Sequence, residues 1–572
     1  MNIERISIEN FTGRDFMKIR KIWVWLFFIF NYCSYADQQE LIREERRKQA
    51  EEMRKLEKSE LKDKVKLNDI EEDVQAMGSE IRNIVIEGNT ILKKSEIDSL
   101  KEKYIGKKGG KNILILMKEL ENLYLEEGYI SVRVKIDMEK SSIQDGEIFL
   151  KVIEGHVEKI VFKGEEGQKK LKLFTSFPVS KGKILNINDL DQGIDNLNSV
   201  SSNNARVDIV AGNELGGSIV EIDNQKRKKI SGAVNYNDLG QSSTGKDRIK
   251  FSLIFEDIAD INDTFVSTYQ RKLGRNRKYK DNENFSFYYR VPVKYWEFSV
   301  SKDQSEYLTT IKSFAHTYET TGVSRNMNYS ARRIINRNSN GKTSIGMTLT
   351  NKETKNYFDG IKLITSSRKL SVLKIDVNHN RRFFNGILYG NFTYHEGIKR
   401  FGAESDEEKG EDSPKAQFQK YTVDLSWYKP FMIKEQRFSY RVSFSGQYSD
   451  DILYSSEKLG IGDDTTVRGF KENSIMGDKG FYIRNEIGYS YKSLEPFIAY
   501  DYGRVKDVYK DDYYEKNGNE MSGATIGLRM YLKNFDMSFS YSKPLTAPAY
   551  IKKNTHEIYF MPSMMALRLT AS

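Results

Sequence analysis

Most residues able to do chemistry in this 572-residue chain are dispersed. The five histidines, His156, His316, His379, His395 and His556, include no two at metal-ligand spacing. Neither His-Glu-x-x-His nor Gly-x-Ser-x-Gly occurs. The run Gly106-Lys107-Lys108-Gly109-Gly110-Lys111 invites phosphate but lacks the Gly-Lys-Ser/Thr ending of a P-loop, and reads as a loop between two helices. No catalytic residue, cofactor site or metal site is therefore expected, and no enzyme. One constellation stands apart: Val467-Arg468-Gly469-Phe470 and, further on, Asp501-Tyr502-Gly503. A guanidinium and a carboxylate transfer nothing between them. Their planar, charge-assisted hydrogen bonds can hold two segments in one relative position.

Such a pair needs a scaffold, and the second half of the chain supplies one. Beyond about residue 228 strand-like segments follow one another. Tyr421, Val423, Leu425 and Trp427 alternate with Thr422, Asp424 and Ser426; Ile345, Met347 and Leu349 alternate with Ser344, Gly346 and Thr348. Phe481, Ile483, Ile487, Tyr489 and Tyr491 alternate with Arg484, Glu486 and Ser490, and Met537, Phe539 and Tyr541 alternate with serines. One face is apolar and the other polar, with no sequence left over for a separate core. That pattern predicts a transmembrane antiparallel β-barrel, with lipid outside and water inside. At roughly 20–22 residues per strand and loop, roughly 345 residues make about 16 strands. The Arg468 tetrapeptide then falls in a long loop, and Asp501 in a strand that can face it.

The N-terminus reads as an address. Met17-Lys18-Ile19-Arg20-Lys21 precedes the apolar run Ile22–Phe30 and then Ser34-Tyr35-Ala36, the order of a secretory signal cut after Ala36. The apolar run is too short for a comfortable spanning helix. Residues 1–16 are an upstream extension, and the single cysteine, Cys33, lies inside the signal, so the mature chain is expected to have no disulfide. Residues 38–75 carry Glu and Lys/Arg three and four apart, without Gly or Pro until Gly78, which predicts a helix polar on all sides. Its apolar residues Leu41, Met53, Leu56, Leu61 and Val65 are too sparse for a coiled-coil seam.

Between helix and barrel lie two small α+β units. Ile81–Gly88 is strand-like, Ser95–Lys103 and Ile113–Glu127 have helical spacing, and Val132–Ile136 and Glu147–Ile153 close the unit as β-α-α-β-β. Leu114, Met117, Leu120 and Leu123 are expected on the buried stripe of the second helix. Val157–Gly164 opens a second copy, ending in Ala205–Val210 and Ser218–Ile222. Units of this kind expose a strand edge and a groove beside a helix, surfaces suited to an extended peptide. The formal charge is +10, but Lys and Arg are interleaved with Asp and Glu throughout and no RNA-binding signature appears. Nucleic acid is therefore not an expected partner.

Taken in order, these features resemble the TpsB outer-membrane transporters of two-partner secretion, the haemolysin and filamentous-adhesin exporters. The resemblance covers essentially the whole mature chain. Residues 81–155 and 156–226 look like that family's two POTRA domains, after a signal and extension (1–36) and a plug helix with linker (37–80), and before a barrel at 227–572. Leu185–Asn198, Gly216-Gly217-Ser218 and Tyr236–Gly245 are similar to the family's wording in the second POTRA domain and first barrel hairpin. Val467-Arg468-Gly469-Phe470 matches its in-folded pore loop, and Asp501-Tyr502-Gly503 the facing strand. The resemblance implies that Arg468 ties the loop to Asp501, Gly469 allows the tight tip, and Phe470 packs it. It implies a monomer in the bacterial outer membrane, inserted among lipid by the barrel-assembly machinery, with POTRA domains in the periplasm and a secreted adhesin or haemolysin as partner. The resemblance implies that the polar helix is a plug able to occupy the pore, in preference to a solvated spacer. Two departures are visible: Ala499 stands where relatives often have Phe or Gly, and the chain closes with Leu567–Ser572 and not with an aromatic residue. The rival readings are a barrel-assembly insertase, which usually carries more POTRA units, and a passive porin or receptor, which would not need residues 81–226.

Overall fold

The computed structural model describes residues 79–564 apart from 166–168, 243–244, 275–277, 279, 313–316, 339, 510–517, 533–534 and 552–555. The expected signal, the polar helix and the terminal Leu567–Ser572 lie outside the described residues.

The first unit runs β1 (Asn83–Glu87), α1 (Lys94–Tyr104), α2 (Gly110–Glu126), β2 (Arg133–Ile136), β3 (Glu147–Ile153). β3 is central, parallel to β1 and antiparallel to β2. Residues 106–109 form the connection between α1 and α2, and Gly109 enters α2 at a φ of 93° that favours glycine. The buried stripe of α2 is Ile113, Leu116, Leu120 and Tyr124, while Leu114 is 55% exposed. The expected stripe is corrected for a geometric reason. Steps of three residues drift round a 3.6-residue helix, whereas alternating steps of three and four hold one face. Leu120 belongs to both series; Met117 and Leu123 pack at the margin of the core. Each fully buried side chain of this stripe contributes about 1.5–3 kcal/mol.

The second unit repeats the plan with β4 (His156–Phe162), α3 (Lys170–Ser176), α4 (Ile187–Leu197), β5 (Ala205–Ala211) and β6 (Gly217–Asn224), β6 being central. Asn186 joins the two units. Its side-chain oxygen caps α4 by accepting from the Asn188 N–H (2.8 Å), and its amide donates to the Glu127 carbonyl (3.0 Å). The adjoining Gly128 has φ 93°, and a β-carbon there would lie 2.7 Å from the Asn186 side chain.

The second unit also sits on the barrel. Lys172 of α3 meets Asp257, in the turn after the second barrel strand, at 2.6 Å, both buried. Asn196 of α4 donates to the Lys294 carbonyl of the next such turn (2.8 Å), and the Glu256 carboxylate accepts from the Ser201 and Ser202 N–H groups. This end of the barrel is thereby marked as the one facing the small units.

The rest is a closed antiparallel barrel of 16 long strands among the described residues, with a two-residue extension, Ile361–Lys362, in one turn. Closure occurs where Glu557–Met564 pairs with Ile230–Asn237. Strand after strand obeys the alternation: Tyr421 and Leu425, Ile345 and Met347, Phe539 and Tyr541 point outward and are exposed, while Lys420, Ser344, Ser540 and Ser542 are buried on the inner face. Aromatic residues collect near the turns at the end carrying the small units, among them stacked Trp296 and Phe298, Phe383 with Phe384, and stacked Phe431 and Phe438. Their amphipathic or flat rings suit the level of lipid headgroups.

Candidate functional site

Strands Gln436–Tyr448 and Lys479–Ser490 are hydrogen-bonded neighbours, so the chain between them, residues 449–478, is a loop that leaves and returns at one place in the wall. It turns into the barrel. A short ladder, Leu459–Ile461 with Ile475–Gly477, stiffens its stem. Its tip is closed by Asp463, whose Oδ1 accepts from the N–H groups of Thr465 and Thr466, both at 2.8 Å. An Asp whose carboxylate satisfies the next backbone donors is a compact turn former.

Beyond that turn, Val467 and Phe470 are buried with Leu459, Ile461 and Ile475 of the loop and Val505 and Met521 of the wall. Arg468 points between them into the wall and is 5% exposed. Its Nε lies 2.6 Å from Asp501 Oδ2 and its Nη2 2.7 Å from Oδ1, a two-pronged contact to a carboxylate with no exposed surface. The Arg468 N–H also donates to Asp501 Oδ2 at 3.1 Å, so backbone and side chain are held by one acceptor. Gly469 has φ 106°; a β-carbon there would approach the Lys543–Pro544 backbone at 3.0 Å, and its N–H donates to the Tyr559 hydroxyl at 3.0 Å. Gly503 leaves room for the loop: a β-carbon there would lie 3.0–3.1 Å from Tyr482, Ile461 and Val467. Val467, Arg468, Gly469, Phe470, Asp501 and Gly503 thus meet in one place, whereas the Tyr502 hydroxyl donates to Glu520 at 2.8 Å.

Others complete the seat. Arg468 Nη1 reaches Glu486 at 3.2 Å, and Glu486 is shared with Arg529 (2.7 Å) and Arg441 (3.3 Å). Glu495 accepts from Arg441 (2.5 Å) and from the Tyr531 hydroxyl (3.1 Å). Arg484 donates to the Thr465 carbonyl of the loop at 2.7 Å. Gly523 is as important sterically: a β-carbon there would fall 2.0 Å from the Arg468 carbonyl oxygen, and the strand register shifts at that point. Sequence reading missed Glu486, Glu495, Arg441, Arg529 and Gly523 as parts of this site. Each is one more inward polar or small residue in an alternating strand, and only strand pairing shows which of them meet. Ala499, a departure noted above, stands opposite Glu486 in the register.

Residues 216–530 match the family described as haemolysin secretion/activation protein ShlB/FhaC/HecB. The chain belongs to this family. Residues 79–155 match the ShlB-type POTRA domain and residues 156–211 a further POTRA domain, so the two small units are POTRA domains. The chain is 30% identical over 434 residues to the haemolysin transporter protein HpmB of Proteus mirabilis, covering 74% of this chain and 75% of that protein. It is 29% identical over 486 residues to the outer membrane transporter CdiB of Dickeya dadantii (strain 3937), covering 83% and 84% respectively. The solved structure of CdiB from Escherichia coli superposes with a TM-score of 0.84 at 25% identity, over 92% of this chain and 98% of that one.

As a family member this chain is an outer-membrane transporter of the two-partner secretion type, with its POTRA domains in the periplasm. That orients the site. The POTRA-bearing turns are periplasmic, so the loop at 449–478 enters the lumen from the extracellular mouth and its Arg468 contacts lie inside the barrel.

Proposed function

We propose that this transporter captures an unfolded secreted partner, an adhesin or haemolysin, on its periplasmic POTRA domains and passes it as an extended chain through the barrel. In this reading residues 81–155 and 156–226 are the capture domains, residues 227–572 the pore, and residues 37–80 the plug with its linker. The loop carrying Arg468 is the element that must shift for passage, with Arg468 as its tie, Asp501 as the wall partner, and Gly469, Gly503, Val467 and Phe470 shaping the seat. The observation that carries this reading is the buried two-pronged contact of Arg468 with Asp501 inside a barrel on whose periplasmic turns a POTRA domain is seated. The sequence has no P-loop ending to couple passage to nucleotide hydrolysis, and folding of the cargo outside supplies the direction. The pore acts as a monomer inserted by the barrel-assembly machinery and performs no covalent chemistry. Two POTRA domains together with the family membership favour export over barrel insertion.

The test is Arg468→Ala in cells carrying the secreted partner. Export should fall and channel conductance should change, while heat-modifiable migration of the barrel stays as in the parent. Normal export by this variant overturns the assigned role.

A further inference from the structure

Arg468 does not account for how the other limb of the loop is held. Glu457, between the start of the loop and its short ladder, is 2% exposed. Its Oε1 lies 2.7 Å from Lys352 Nζ and its Oε2 3.0 Å from Lys420 Nζ. Lys420 also donates to the Glu457 carbonyl at 2.8 Å, and the Gln447 amide donates to that same carbonyl at 3.0 Å. Side chain and backbone are thus gripped together, as they are at Arg468.

The two grips differ in place and in sign. Arg468 is a loop cation held by carboxylates on strands Lys479–Ser490 and Leu494–Lys506. Glu457 is a loop anion held by lysines on strands Gly341–Phe358 and Gln419–Ile433, which are themselves separated by two other strands of the wall. The loop is therefore fixed to different sectors of the barrel by charges of opposite sign. A buried charge deprived of its partner is strongly disfavoured, and here one carboxylate lies between two ammonium groups and offsets their mutual repulsion. Its loss leaves the lysines facing each other.

We propose that Glu457 is a second positioning residue of the pore loop, with Lys352 and Lys420 as its receptors, and that passage of the exported chain requires this contact to break as well as that of Arg468. The inference rests on the pore-loop reading above and extends it to residues outside the Arg468 motif.

The experiment uses the full-length protein in planar lipid bilayers. Glu457→Gln keeps the size and removes the charge; large-conductance openings should become ~10-fold or more frequent, as expected for unpairing a buried ion. Lys420→Gln should have a smaller effect, since Lys352 still faces the carboxylate. The double variant Glu457→Gln/Lys420→Gln should open less often than Glu457→Gln alone, because the repulsion between the lysines is relieved. A merely structural loss would make the double variant worse. Heat-modifiable migration checks that each barrel has folded, and if Glu457→Gln does not fold, Glu457→Asp and Lys352→Gln read the same contact, with raised opening expected in both. Opening frequencies equal to the parent in the folded variants overturn the inference. If Arg468→Ala still alters the channel in that case, only the second contact falls. If Arg468→Ala is also silent, the pore-loop reading falls with it.

Discussion

The core of the first POTRA domain and the seat of the pore loop are both buried, yet they are built from opposite materials. Leu116, Leu120 and Tyr124 pack with Ile84, Ile148 and Leu150 around an apolar centre. The loop seat has a small apolar cluster at Val467 and Phe470, but its charged tie to the wall runs from Arg468 to Asp501 and Glu486, and Arg441, Arg529 and Glu495 extend that ion network within the wall. Apolar burial is non-directional and stabilises a fold whatever the orientation of its parts. A buried ion network adds little net stability but penalises each wrong pairing heavily, so it fixes position. On the proposed function, capture domains that keep their shape and a loop that must shift for passage call for different interactions.

The sharpest way to break this comparison is to unpair the seat. Asp501→Ala leaves the Arg468 guanidinium buried without its main acceptor, a cost of about 3–5 kcal/mol borne by the loop position. Conductance recordings should show a disturbed channel, while the barrel still migrates as a folded species. Next in size, Leu120→Ala removes a fully buried side chain and should destabilise the first POTRA domain by about 2–5 kcal/mol. Limited proteolysis should then cleave that domain early with the barrel intact, and export should fall with no change in conductance. If Leu120→Ala altered conductance, or Asp501→Ala exposed the POTRA domain, the division of labour would be wrong.

A third substitution separates shape from charge. Gly523→Ala places a methyl group where the Arg468 carbonyl stands and should cost about 1–3 kcal/mol by overpacking. It should reproduce the conductance change of Asp501→Ala in milder form although every charge remains. The smallest effect is expected at the POTRA–barrel contact. Asp189 of α4 accepts a hydrogen bond from the Tyr295 hydroxyl, and burial pushes its carboxyl above the ordinary 3.8 although that bond opposes the shift. The stability contributed by the neutral carboxyl is present below about pH 3.8 and is lost as pH rises through the raised value. Asp189→Asn should therefore flatten the pH dependence of thermal unfolding between acid and neutral pH, by less than about 1 kcal/mol.

How far the site could be read in advance depended on the kind of residue. Arg468, Gly469 and Asp501 stood out because an arginine–glycine pair in a loop and an Asp-x-Gly in a strand break the local pattern. Glu486 and Arg529 did not, because an inward charged residue is ordinary in a barrel strand. Glu457 was hidden for the same reason in a loop rich in polar residues. The α2 stripe shows a finer point: Leu114 and Ile113 are comparably apolar, and the alternating spacing of Ile113, Leu116, Leu120 and Tyr124 sets the covered face.

Local periodicity alone settled the architecture of this chain. Alternation at period two over the second half leaves a barrel as the only economical way to satisfy backbone groups in lipid, and the repeated β-α-α-β-β pattern specifies two small domains with their own cores. Which charges meet was decided only by the closed barrel. Lys352, Lys420 and Glu457, like Arg468, Glu486 and Arg529, are brought together by strand register, by closure of the wall and by the inward turn of one loop. Coulombic contacts depend on separations of a few ångströms, and such separations between distant parts of the chain exist only once the tertiary structure has formed.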